Sequence, residues 1–551
     1  MNAVARRNAF EAASTKNVNI GSWRPSLRSI DAEVLRDAPT VRARARDLVR
    51  NNPTARQAVR ISRQGTIGAH LRLVLNPDYK FLGIDHADGV MWARTVERVW
   101  EQYAHGPSCW LDAGRRFSFT ELMGLAHDQD FIDGECLVAC EWDQNRPWNT
   151  CFQVVDVDRL SNPFGRPETT TLKGGVELDQ FSAPVGYHIR QAHPADIAVI
   201  GSRPYVWDLV PRETPWFRPI MMHSFDPIRA GQTRGISEFA SVIHALKLGK
   251  EYAEQELSNA TVRAGFVAVL TSALNANEAM ASLAEGWMAG REGEEGESLN
   301  PIAEMAFDAL KQTVGYYNEL DLSVAGQKIP KLSPGDDLKF LGNNTPGSNY
   351  ADYVMAQIRN VAAGLGVDPT GLSQDYSQTS YSSAKMSYAN NGRGYEIRRA
   401  RLTRMIGMPI VAGWMEEAVQ ADRIPMPKGM SKADYYEARD ALVRGSFITA
   451  GKPIIEPLKE RQAQQLGINM GVETLQSVCS DEGLVAEEQL EQLARENQMR
   501  EELGLIPVGV PPPPEDEPPA DDPPPDKKND EKKDEKGAQM SAGKTRRKRS
   551  R

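Results

Sequence analysis

Three groupings in this chain have the residue types that catalysis or metal binding would need. Ser382-Ser-Ala-Lys385, followed by Tyr388-Ala-Asn390, offers a hydroxyl, an amine and polar partners, which are ingredients of serine acyl transfer. In enzymes of that kind the elements come from separate parts of the fold. Here they stand six residues apart on one predicted helix, and no Lys-Thr-Gly strand follows. They read as helix-surface residues. Gly543-Lys-Thr545 resembles the end of a phosphate-cradling loop, but the first glycine of such a loop falls on Ala538, and neither a strand before it nor a helix after it is expected. Cys136 and Cys140 could form a metal or redox pair. However, Glu135 to Trp142 alternates, placing Cys136, Val138, Cys140 and Trp142 on one apolar face of a strand. Four strand residues span about 13 Å, beyond a disulfide's reach, so these are buried thiols.

The remaining candidates are weaker. The five cysteines are odd in number and spread out, which argues against a disulfide framework. The eight histidines are scattered, and the closest pair, His188 and His193, has no third ligand nearby in sequence. Glu292 to Glu297 reads as a solvated acidic run rather than a pair set for acid–base work. No catalytic, cofactor or metal residue is expected.

The elements expected around these residues are mostly helical at first. Arg42 to Arg50 reads as a basic helix stopped by Asn51-Asn-Pro53, because proline disfavours helix in the residue before it. Arg56 to Gly65 reads as a second helix. Val90 to Ala104 reads as a third, with Trp92, Val96 and Trp100 on one face. Phe131 to Leu160 reads as two strands around a turn at Asn145-Arg-Pro147, with further strands near Tyr187 to Ile189 and Val206 to Leu209. Ile236 to Thr261 is the clearest helix, about 39 Å long, with Phe239, Ile243, Leu246, Ala253, Leu257 and Ala260 as its apolar stripe. Ser348 is positioned to cap a helix from Asn349 to Ala363, with Val354, Ile358, Val361 and Leu365 along its apolar side. The preceding Gly335 to Gly347 reads as an exposed loop. Tyr395 to Arg404 reads as a basic helical patch carrying Arg398, Arg399, Arg401 and Arg404. Val485 to Leu503 reads as a helix with Ala486, Leu490, Leu493 and Leu503 inward. After Val510, proline and charge leave nothing to bury, and disorder is expected.

At 551 residues with 40% hydrophobic composition the chain has material for about three to four domains. No apolar run approaches the roughly 18 residues of a membrane span, and Met1 to Ala13 lacks the apolar core of a secretory signal. Synthesis in a cytoplasm is the expectation.

Several strings, in one order along the chain, resemble the lambda family of tailed-bacteriophage portal proteins. They are Arg44-Ala-Arg-Asp-Leu-Val-Arg-Asn-Asn-Pro-Thr-Ala55, Phe117-Ser-Phe-Thr-Glu-Leu122, Asp133-Gly-Glu135, Gly175-Val-Glu-Leu-Asp179 and Tyr187-His-Ile-Arg190. His223-Ser-Phe-Asp-Pro227, Ala230-Gly-Gln-Thr-Arg-Gly235, Gly371-Leu-Ser-Gln-Asp-Tyr-Ser377, Tyr381-Ser-Ser-Ala-Lys385 and Ile454-Ile-Glu-Pro-Leu-Lys-Glu460 continue the series. The last departs at Glu456, where the family usually has Asp. Gly231, Gln232, Arg234, Gly235, Asp375, Tyr376, Tyr381, Ser382 and Ser383 are the family-motif residues, with structural roles.

The resemblance implies an α+β subunit with an α/β wing, long stem helices, a small clip and a helical C-terminal crown, assembling as a ring that is normally dodecameric. On this reading residues 1–185 are the wing and 186–265 the clip and a stem helix. Residues 266–347 continue the wing, 348–450 are helical stem and wing, 451–510 the crown and 511–551 the tail. It further implies a channel at one capsid vertex for double-stranded DNA, with the terminase large subunit, head–tail connector proteins, and capsid and assembly proteins as partners, in the virion and, during assembly, the host cytoplasm. No membrane role is implied.

The charge distribution suits a conduit. The formal net charge is −9, yet the first 72 residues hold 14 Lys/Arg against 5 Asp/Glu and the tail is close to balanced, leaving about −19 in the main body. Phosphate contacts add salt-dependent grip, whereas an acidic wall lets a polyanion slide. Lys544, Arg546, Arg547, Lys548, Arg549 and Arg551 close the chain as a positive cluster that could contact DNA or assembly partners. The alternatives are a terminase-like ATPase or nuclease, which would need a nucleotide loop or acidic metal cluster, and a monomeric DNA-binding protein, which would need a basic body.

Overall fold

The computed structural model describes residues 11–266 and 350–508, apart from residues 16, 378–379, 450 and 452–455, together with short strands at Ser323–Val324 and Gln327–Lys328. The Glu-rich run 292–297, the loop 335–347, the cap Ser348 and the tail from Pro511 lie outside the described residues.

Helix α1 spans Ile30–Asn51 and α2 spans Pro53–Thr66. Asn52 separates them in extended conformation, and its side chain caps α2 by accepting from the Ala55 N–H at 3.1 Å. Pro53 forbids helix at Asn52 and is preorganised as the first residue of α2. The helix therefore stops where expected, but it starts twelve residues before Arg42. Pro39 lies within it on the exposed side, while Val34, Ala38, Arg42 and Ala45 keep a buried stripe running.

Helix α3, His86–Ala104, buries Trp92, Val96 and Trp100 as its periodicity requires. Helix α4, Phe119–Asp133, opens with a capping box between Ser118 and Glu121 and closes on Gly134, whose φ of 91° suits glycine. The strand pair expected from Phe131 onward thus begins later, at Glu135. Strands β2 (Glu135–Trp142) and β3 (Thr150–Val155) pair antiparallel, and β8 (Met221–Phe225) adds to the other edge of β2. A second antiparallel sheet runs β4 (Leu172–Lys173), β5 (Val176–Leu178), β6 (Pro184–Arg190) and β7 (Trp207–Pro211).

The single apolar face expected for β2 is corrected by its burial on both sides. Cys136 and Val138 enter one core while Leu137 and Ala139 enter another, and Trp142 is 52% exposed. All five cysteines are free. The larger core joins α3 and α4 to residues far along the chain, with Trp100 and Trp414 rings 5.1 Å apart edge to face. Burying two such rings contributes about 4–6 kcal/mol each. Strand β1 (Arg72–Leu75) pairs with β11 (Gly445–Ile448), counting the short strands as β9 and β10.

Helix α5 begins at Ile243 and runs to Phe266, preceded by a 3-10 turn at Glu238–Ser241 rather than by continuous helix from Ile236. Phe239 and Leu246 are buried, but Leu257 is 69% exposed, so the stripe is packed only at its N-terminal end within the subunit. Phe239, Val242 and Leu246 meet Ala45, Leu48, Ala55, Ala58 and Val59 of the first two helices and Val361 and Leu365 of α6 (Tyr350–Leu365) in a third core. Helix α7 is Pro369–Ser373, α8 is Tyr381–Leu402 and α9 is Met408–Gln420. A π-turn at Thr403–Gly407 joins the last two. Pro409 has no N–H to offer four residues back, which accounts for the widened turn.

The chain divides into two compact units, Met1–Glu460 with Ser480–Gly483, and Arg461–Cys479 with Leu484–Arg551. In the second unit Val478, Cys479 and Ala486 are buried, and Val508 N–H returns to Asn497 Oδ1 at 2.8 Å. The helix expected over Val485 to Leu503 runs Ala486–Glu502, and Leu490 and the cap residue Leu503, both expected inward, are 51% and 75% exposed in the subunit. Among the described residues no helix is long and apolar enough to cross a membrane.

Candidate functional site

The motif residues Gly231 to Gly235 lead into a buried ion-pair node, and Gly231, Gln232 and Thr233 also line one side of a cavity of about 920 Å³. Arg234, 6% exposed, grips the fully buried Glu135 through Nε at 2.9 and 2.8 Å and through Nη2 at 2.5 Å. Its Nη1 donates to the carbonyls of Leu160 at 3.0 Å and Gly174 at 2.5 Å. Gly235 N–H and His223 Nε2 reach Glu135 Oε2 at 3.1 and 3.0 Å. Arg42 bridges Glu135 at 2.9 Å to Asp158 at 2.7 Å. Four residues on, one turn along α1, Arg46 forks onto Asp133 at 2.7 Å twice and reaches Asp158 at 2.5 Å and Asp156 at 3.1 Å. Thr233 and Lys173 close on Asp31 at 2.7 to 3.0 Å.

The electrostatics follow from this packing. Burial alone would neutralise Glu135, but the Arg234 charge and the hydrogen bonds from His223 and Arg234 hold it well below the usual carboxylate range. Burial opposes ionisation of Asp158 too, yet Arg42 and Arg46 keep it low. Asp133 goes the other way, because its desolvation outweighs the Arg46 fork. Glu135, Asp133, Asp156 and Asp158 each meet an arginine, and Asp31 meets Lys173. A Cβ added to Gly235 would lie 2.0 Å from the Gly134 carbonyl oxygen. This geometry locks α1, β2, β8 and the 231–235 loop together.

The other motif residues also hold backbone. Gln232 bonds Ile228 N–H at 2.9 Å and the Arg234 carbonyl at 2.8 Å, and Gly231 sits at φ 81°. Ser383 completes a capping box with Ser380, so the string beginning Tyr381-Ser382 opens α8. Hydrogen bonds from the Ser377 hydroxyl and from its N–H, the latter at 3.0 Å, lower the Asp375 pKa, and Tyr376 is 60% exposed. Beyond these motif residues, the 3-10 turn before α5 and its following residue meet α6 and α8 through Val242 against Gly364 and an Arg398–Glu238 ion pair at 3.6 Å. Lys544, Arg546, Arg547, Lys548, Arg549 and Arg551 lie outside the described residues.

Two readings are corrected here. The basic patch at Arg398 to Arg401 is paired inward: Arg399 donates to the Thr66 and Gly65 carbonyls at 2.7 and 2.8 Å, and Arg401 forks onto Asp130 at 3.0 and 2.8 Å. His193 does find neighbours, Asp158 at 3.3 Å and Asp156 beside it, but arginines already occupy those carboxylates. Glu135, Arg42, Asp158 and Asp31 went unassigned from sequence. Their signal was the i, i+4 spacing of Arg42 and Arg46 on a helix whose next turn buries Leu48.

The family model for phage portal protein, lambda family, matches residues 17–399. The chain belongs to the lambda family of phage portal proteins. A portal protein of Escherichia phage N15 is 31% identical over 490 residues, covering 88% of this chain and 89% of that one. Portal protein B of Escherichia phage lambda is 30% identical over 490 residues, covering 88% of each. Among solved structures, a chain from the neck of a native GTA particle computed with C12 symmetry aligns over 86% of this chain and 94% of its own, at 14% identity and a TM-score of 0.35. This protein is therefore a head–tail connector portal of mixed helix and sheet, a virion component of a structural family.

Proposed function

We propose that copies of this portal chain close into a ring, twelve in number as the family resemblance implies, around an axial channel for double-stranded DNA. Terminase large subunit docks on the ring during packaging, and connector proteins later take its place at the same end. Ring closure needs a heterologous interface, in which one face of each subunit meets a different face of the next. Family membership along most of the chain carries this reading. The exposed apolar side chains of α5, Leu248, Tyr252 and Leu257, support it as surface available for a neighbour.

Within that reading residues 1–185 form the wing, 186–265 the clip and a stem helix, and 266–347 continue the wing. Residues 348–450 return through stem and wing, and 451–510 form the crown. The motif residues of the 231–235 loop act as the hinge-free joint between wing and stem. The portal supplies no packaging energy of its own, and a partner motor hydrolyses ATP.

The test is negative-stain electron microscopy and native mass measurement of the purified protein, with an ATPase assay alongside. A closed ring with a central hole and no turnover is expected. A stable monomer, or ATP hydrolysis lost in a Lys544→Ala variant, would overturn the proposal.

A further inference from the structure

We propose that His70, Glu101 and His105 form a binding site for one divalent transition-metal ion of the zinc class. The three residues come from elements already fixed by the core. Glu101 and His105 stand one turn apart at the C-terminal end of α3, which the buried Trp100 and Tyr103 hold in place. His70 lies in the segment between α2 and β1, next to the fully buried Leu71.

The ligand atoms converge. His105 Nδ1 lies 3.2 Å from Glu101 Oε2, and His70 Nε2 lies 3.7 Å from Glu101 Oε1. One ligand atom from each of the three residues falls within 4.8 Å of the others. Tetrahedral zinc with bonds near 2.05 Å separates its ligands by about 3.3 Å, so small side-chain adjustments bring all three onto one ion. Two histidines and one glutamate with an open fourth position is a zinc donor set.

Two further observations point the same way. His105 Nε2 lies 2.9 Å from Thr120 Oγ1, which also accepts from the Leu71 N–H at 3.0 Å. Thr120 is thus placed to accept the Nε2–H of a metal-bound His105, the outer contact that fixes a ligating imidazole. The His70 and His105 rings sit with centroids 4.5 Å apart. An ordinary i, i+4 contact with Glu101 accounts for His105 but not for a second imidazole held against the first. Arg72 places a positive charge near His70 and Glu101, which weakens cation binding there. An ion here would clip the α2–β1 segment to α3.

The experiment strips the full-length protein with chelator, returns it to Zn2+ and measures metal content and calorimetric binding. One Zn2+ per chain is expected, with a melting temperature several degrees higher at saturating metal. His70→Ala, at a half-exposed position, and Glu101→Gln should each weaken binding at least tenfold and remove the thermal shift, while His193→Ala leaves both unchanged. Co2+ should give tetrahedral absorption bands that His70→Ala abolishes. The proposal fails if the stripped protein takes up no Zn2+, if His70→Ala binds it as well as the parent, or if His193→Ala removes it.

Discussion

Gly134 and Gly235 lie backbone against backbone: a Cβ on Gly235 would meet the Gly134 carbonyl oxygen at 2.0 Å, and a Cβ on Gly134 would meet the Ile236 carbonyl carbon at 2.1 Å. Only this closeness lets the Gly235 N–H reach Glu135 while Arg234 grips the same carboxylate. Gly235→Ala drives a methyl into peptide backbone that cannot swing aside. A loss of roughly 3 kcal/mol or more is expected, read as a lower denaturation midpoint or as insoluble protein. A midpoint equal to the parent's would mean the two segments are not in contact.

Glu135→Gln keeps the shape of the side chain and removes its charge, leaving Arg42 and Arg234 buried without their shared counter-ion. Breaking such a set from one side costs about 3–5 kcal/mol. Chemical denaturation of the subunit should show it. Asp37→Asn, which removes the exposed partner of Arg36, should leave the midpoint unchanged.

Asp130 gives a pH dependence of opposite sign to Glu135. Burial raises Asp130 to about 6 in spite of Arg401, from an ordinary value of 3.8. The folded state therefore binds this proton more readily than the unfolded state. Its contribution to stability is complete below pH 3.8 and is lost as pH rises to about 6. Glu135, held low, contributes above pH 4.5 and loses that contribution as pH falls through its lowered folded value. Comparing parent with Asp130→Asn across pH 4 to 7 should isolate the first slope. Identical curves for the two proteins would refute it.

Leu246→Asp and Leu257→Asp separate subunit folding from ring packing on one helix. Leu246 is 5% exposed, so a buried aspartate there costs several kcal/mol and the subunit should misfold. Leu257 is 69% exposed, so its aspartate variant should fold as a subunit and lose ring closure. Normal rings from Leu257→Asp would show that this part of α5 meets no neighbour.

Truncation after Val510 should leave the ring intact and weaken its hold on DNA at low salt. Six cations close the sequence. If all six neutralise phosphates, the slope of log affinity against log salt changes by about −5 per engaged tail. Unchanged binding and unchanged particle assembly would leave the tail without either role.

Much of the fold was legible where periodicity and burial coincide. Trp92, Val96 and Trp100 mark α3 because their spacing is the helix's own, and Asn52-Pro53 marks a turn because proline forbids the alternative. The start of α1 was hidden by Pro39, which the helix tolerates on its exposed side. The ion-pair node was hidden for a different reason. Arg42, Arg234 and Glu135 look like solvated charges until residues some 93 and 99 positions apart are brought together. His70 and His105 were hidden in the same way, because the closest histidines in sequence are not the closest in space.

The pairing of Arg72 with Ile448 in the β1–β11 ladder has a consequence for timing. Residues made early must wait for a strand made nearly four hundred positions later before the core around Trp100 and Trp414 is whole. At ordinary rates of synthesis, about 5–20 residues per second, that wait lasts roughly 20 to 75 seconds. During it the nascent chain lacks the finished surface that a neighbour would recognise. Chains terminated before β11 should for the same reason be barred from assembly, so that translation itself acts as a checkpoint on which subunits enter the particle.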